Sequence, residues 1–202
     1  MCAGASIKHK RLHLQSPSLF DMLPGGTRKP PPELHLGRHA ATFASPRALT
    51  LSVHNLAPLE AAFIIAVLND ARSWAAYGFS FALAPASKAD FAIFLTEADD
   101  MAVAFPGASL RGMSVTDRRG DKPVVHLNAA NWRAPPAASG YLRTLAGVAR
   151  YRAYVVNHEV GHVLGLDHAH CSGAGAPAPI MQQQTRGTGA CRPDPWVVKN
   201  VD

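Results

Sequence analysis

One eleven-residue string restricts this chain more than anything else in it: HEVGHVLGLDH over residues 158–168. Residues four apart on an α-helix lie one turn above one another on the same face. His158 and His162 can therefore point both imidazoles at one ion, about 2.0–2.1 Å from each nitrogen. Glu159, the next residue round the helix, can reach a water at that ion without ligating it. A straight helix cannot supply a third ligand at tetrahedral geometry. Gly165 offers the exit, because a positive φ is inexpensive only for glycine, and three residues later His168 can return as the third donor. A bare H-E-x-x-H arises by chance in about one chain in a hundred of this length. The glycine and third histidine at fixed spacing reduce that by a factor on the order of hundreds. The competing reading is a helix with two histidines and no metal. Asp167 sits one residue short of the ligand spacing, so it reads as a turn cap or as a hydrogen-bond partner of a ligand histidine.

The rest of the chain reads as one domain with an extension. Residues 1–45 carry the breaker-rich LPGGTRKPPP over 23–32 and no helical or strand period, which leaves a linker, a pro-segment or an interaction arm open. Residues 46–202 read as the folded domain. Alternation over 48–54, 79–83 and 89–95 predicts strands. Val115 and residues 123–127 suggest a further pair, joined by the turn-rich 117–121. Pro58 suits the first turn of a helix over 59–68. Residues 141–165 read as a second helix, with a break near Gly147 and a stop at Gly165. Residues 169–202, rich in Gly and Pro, read as ordered loop.

Composition bounds the function classes. Hydrophobic residues make up 48% of the 202 and charged residues 17%, which suits a packed core and not a disordered chain. The net charge of +6 raises nucleic acid as a partner. The densest basic cluster, Lys8, Lys10 and Arg11, has no interleaved aromatics, so no nucleic-acid partner is expected. No apolar run approaches the length of a transmembrane helix, and no apolar core follows the basic cluster as in a secretory signal. A monomer is expected.

The string at 158–168 resembles the zinc signature of the metzincin metallopeptidases, matching it at every signature position. That clan places a methionine beneath its metal, and Pro179-Ile-Met181 stands where such a methionine turn would. A wider resemblance runs through residues 48–198 and is dense after 150. YRAYVVNHEVGH over 151–162, PAPIMQQQ over 177–184 and CRPDPW over 191–196 are similar to an uncharacterised domain family known mainly from actinobacteria. Residues 71–74 and 89–92 fit its upstream half. The resemblance implies an α/β fold of the zincin type: a twisted mixed sheet, a backing helix, an active-site helix and a small loop-rich C-terminal part. It implies one catalytic Zn²⁺ on His158, His162 and His168, with Glu159 as general base and a peptide or protein substrate. It also implies a secreted or membrane-anchored peptidase, whereas the residues leave the compartment open. A zinc-binding module without peptidase activity is the alternative, and the intact Glu159 argues against it.

Cys171 and Cys191 bracket Met181. A disulfide closing that loop would stabilise by about 3 kcal/mol in the chain-entropy model, with two free thiols as the alternative. Cys2 is the cysteine left over. Tyr154 and His126 read as structural, His170 as a solvated loop histidine, and Asn157 as a local hydrogen-bonder. Gln182, Gln183 and Gln184 follow Met181 where several metzincin groups carry a tyrosine. An edge strand over 112–118 is expected beside the metal, where an extended substrate could add to the sheet.

Overall fold

The computed structural model describes residues 47–106 and 112–198. The expectations for residues 1–45 and Cys2 lie outside them. Five strands form one mixed sheet: β1 (Arg47–His54), β2 (Phe79–Leu83), β3 (Phe91–Thr96), β4 (Val115–Asp117) and β5 (Val124–Asn128), in the order β2-β1-β3-β5-β4. The first four in that order run parallel, and β4 closes one edge antiparallel to β5. Among the described residues four α-helices accompany them: α1 (Pro58–Leu68), α2 (Ala98–Ala104), α3 (Ala129–Arg133) and α4 (Leu145–Val163). The α/β class, mixed sheet, backing helix and long histidine-bearing helix that the resemblance implies are all present. No helix among the described residues is long and apolar enough to cross a membrane.

Alternation along the strands sorts the side chains. Leu51, Phe91, Ile93, Val125 and Leu127 are buried on neighbouring strands and join one core with Ile64 and Leu68 of α1 and Tyr151, Val155 and Val160 of α4. At about 25 cal/mol per Å² of apolar surface, each such side chain stabilises by roughly 1.5–3 kcal/mol. The β-branched and aromatic residues favour the pleated surface for the same packing reason. His126 sits half-buried on β5 as a structural residue, hydrogen-bonded to Thr96 and ringed by Phe94 and Phe105. Burial lowers its pKa.

α1 begins at Pro58, where a missing N–H costs nothing. Glu60 reaches back to accept from the Ala57 N–H at 3.1 Å, and its other oxygen accepts from Trp132 Nε1 at 2.7 Å. α4 departs from expectation at its start. It is unbroken at Gly147 and begins at Leu145, not at 141. Thr144 caps it, its hydroxyl accepting from the Gly147 N–H at 3.2 Å. Gly147 is required there for room, because a Cβ would run into the Leu142 carbonyl. What reads as a helix-breaker is a close approach of the chain to the first turn.

Candidate metal centre

α4 carries His158 and His162 on one face and stops where the third histidine needs it to. Gly165 has φ +90°. The Leu166 N–H donates to the Gly161 carbonyl and the Gly165 N–H to the His162 carbonyl, both at 3.0 Å, the paired bonds of a Schellman stop. The chain then reverses, and the Ala169 N–H donates to the Met181 carbonyl at 3.0 Å, anchoring the loop immediately after His168.

The three histidines converge. One ring nitrogen from each of His158, His162 and His168 lies within 4.8 Å of the others, and His162 Nε2 stands 3.2 Å from His168 Nε2. Two bonds of about 2.0–2.1 Å at a tetrahedral angle would place their donor atoms about 3.3–3.4 Å apart, so this spacing suits a shared ion. The far ring nitrogens are also engaged. His158 Nδ1 lies 2.8 Å from the Ile180 carbonyl and His162 Nδ1 2.8 Å from the Leu166 carbonyl. A carbonyl only accepts, so both Nδ1 atoms carry the proton and both Nε2 lone pairs point at the shared position. Neither bond goes to Asp167, which lines the cleft instead. Burial lowers the pKa of all three histidines, that of His158 to about 3. They are neutral at pH 7, as ligation requires.

Glu159 is only 3% exposed. Burial pushes its carboxyl up to about 7, against the opposing effect of a hydrogen bond from Thr116. The Thr116 hydroxyl lies 2.7 Å from Glu159 Oε2 and 3.0 Å from the Glu159 backbone oxygen. Thr116 belongs to β4, so an edge strand does stand at this cleft, over 115–117 and shorter than the expected 112–118. A cleft of about 320 Å³ opens between them, lined on the strand side by residues 113–116 and Arg118, and opposite by His168, Gln183 and Arg186.

Met181 is 2% exposed and lies against Gly161, the helix turn between the two ligand-spaced histidines. A Cβ there would strike the Met181 sulfur and come within 3.2 Å of Trp74. Cys171 and Cys191 are bonded as a disulfide around this loop. His170 is exposed. Tyr154 is core, its hydroxyl donating to the Gln182 carbonyl at 3.2 Å. Asn157 departs from the local role expected of it. Its Oδ1 accepts from Ser73 at 2.6 Å, its Nδ2 donates to the Pro195 carbonyl at 3.0 Å, and its carbonyl accepts from Trp74 Nε1. It therefore ties two distant segments, Ser73–Trp74 and the one at Pro195, to α4 behind the histidines. Thr116, Arg118 and Arg186 were not singled out from the residues. The edge-strand position was the one available signal for the first, and the other two carry none.

Residues 50–196 match a family described as "Protein of unknown function (DUF3152)". No curated protein matches the chain. Among solved structures, one similar chain is described as "Structure of myroilysin", at 12% identity and a TM-score of 0.36, covering 63% of this chain and 53% of that one. The chain thus spans about half the length of that relative, and a likeness of this degree carries no argument about activity.

Proposed function

The chain belongs to the DUF3152 family, matching it over residues 50–196, and from its own chemistry we propose that it is a zinc-dependent endopeptidase of the metzincin kind. The observation that carries this reading is the convergence of three histidine nitrogens, two of them 3.2 Å apart, beside the buried Glu159 on the wall of an open cleft.

His158, His162 and His168 would hold the ion. An all-imidazole set suits zinc among the biological metals, and hard oxygen-seeking cations such as Mg²⁺ or Ca²⁺ do not fit it. When bound, Zn²⁺ acidifies a water and polarises a carbonyl. Glu159 accepts the proton of the attacking water and returns it to the leaving amine. The carbonyls of Ile180 and Leu166 hold the ligand rings in one tautomer. Met181 and Gly161 pack the helix turn between the ligands against the loop that follows His168. The cleft takes an extended peptide between β4 and the histidines, with Arg118 and Arg186 at its margins.

The test is reversible metal removal. Purified protein should cleave internal bonds of an unfolded protein substrate, lose that activity on chelation, and regain it with one equivalent of Zn²⁺. Cleavage that survives complete metal removal would end the zinc-peptidase reading. One zinc bound tightly with no cleavage would favour a binding module.

A further inference from the structure

We propose that Thr116 is a positioning residue for Glu159: its hydroxyl holds one carboxylate oxygen so that the other is presented to the cleft. The inference rests on the reading of Glu159 as general base. Its own support is the asymmetry of the Glu159 carboxylate. Oε2 accepts from Thr116 Oγ1 at 2.7 Å. Oε1 makes no hydrogen bond to the described residues. It is not sealed away either, because among the described residues the only enclosed side-chain oxygen or nitrogen without a partner is Gln182 Oε1. Glu159 lines the cleft, and Oε1 is its carboxylate oxygen without a hydrogen-bond partner among the described residues.

A base must offer a lone pair at a fixed place. The terminal torsion of a glutamate is broad and roughly two-fold, so a carboxylate with no tether samples orientations that aim neither oxygen at the reacting water. Thr116 can supply the missing constraint because its own position is determined. It sits mid-strand, paired with Val125 of β5, and its β-branched side chain is stiff at χ1. The hydroxyl has one proton and two acceptors within reach, Oε2 at 2.7 Å and the Glu159 carbonyl at 3.0 Å. The shorter contact, to a group that carries charge, is the stronger. A threonine that served only to tie strand to helix would need the carbonyl bond alone.

Thr116→Val keeps the shape and branching and removes the hydroxyl. Thr116→Ser keeps the hydroxyl, and Thr116→Ala is a second hydroxyl-free variant should the valine form fold poorly. With zinc content unchanged, the hydroxyl-free variants should lose about 10- to 100-fold in kcat, the scale of a small misplacement of a reacting group, with KM held within about two-fold. Thr116→Ser should recover most of the rate. A crystal structure of the zinc-loaded, hydroxyl-free variant should show the Glu159 carboxylate rotated or in more than one orientation. A kcat equal to wild type, or a single unmoved carboxylate, overturns the proposal. If instead Glu159→Gln cleaves as well as wild type, or wild type cleaves nothing, it is the base reading that fails, and the carboxylate's orientation in the variant still decides whether Thr116 holds it.

Discussion

The three histidines proposed as ligands are held at the scale of single atoms by groups that have no side-chain identity. The carbonyls of Ile180 and Leu166 fix the tautomers of His158 and His162 at 2.8 Å each, while His168 is exposed. His168→Ala should therefore leave the fold intact and weaken zinc affinity on the order of 100-fold or more, since loss of an outer hydrogen-bond partner alone costs 10- to 100-fold. Competition against a zinc-sensing dye measures it, and unchanged affinity would remove His168 from the set. Gly161 makes a different prediction. Its missing Cβ leaves the space that Met181 and Trp74 occupy, and both are fully buried. Gly161→Ala should cost about 1–3 kcal/mol by overpacking, read as a lower urea midpoint. In a Met181→Ala background the penalty should shrink, and strict additivity would show that the two do not meet. At this scale the convergence of the three histidines and the stop at Gly165 are legible in the sequence, because helix spacing and a positive φ are residue-type signals. The accepting carbonyls and the Thr116 hydroxyl are not, since any residue supplies a carbonyl and a strand threonine is commonplace.

Elements were legible in proportion to their length and regularity. The period-2 runs became strands within a residue or two of their expected ends, and β2 matched at both ends. α2 and α3, seven and five residues long, were not anticipated, because one or two turns give too few repeats to distinguish a period of 3.6 from loop. α4 is legible as a helix but begins four residues later than its pattern suggests, since Thr144 acts through a cap while Gly147 resembles a break. Among the described residues, the segment after α4 has as regular structure only the isolated bridge of Pro177 with Arg192 and one 3-10 turn at Gln184–Arg186, beside turns and the Cys171–Cys191 bond. Reducing that disulfide should lower stability by about 3 kcal/mol for a loop closing a separation of 20 residues. Equilibrium unfolding of the zinc-loaded protein with and without reductant measures it. Equal midpoints would mean that the hydrogen bonds of the loop suffice.

Across the whole molecule, the sheet order explains why residues far apart in the chain meet. β4 is the edge, antiparallel to β5 and next to α4, so Thr116 comes beside Glu159 from 43 positions away. That long-range juxtaposition could not be read from spacing, although the mixed α/β architecture that produces it could. Behind the histidines, Asn157 joins Ser73, Trp74 and Pro195, so the centre is braced by segments from both halves of the described chain. The architecture places a buried carboxylate, three converging imidazoles and an open cleft on one wall, and the central claim is that this wall hydrolyses peptide bonds. Its most direct test is digestion of a diverse peptide library, read by mass spectrometry, comparing zinc-loaded wild type with zinc-loaded Glu159→Ala. Wild type should cleave internal bonds and the variant should lose about 100- to 10,000-fold in rate, at equal zinc content. Equal cleavage by both proteins, or by neither with zinc fully bound, would contradict it.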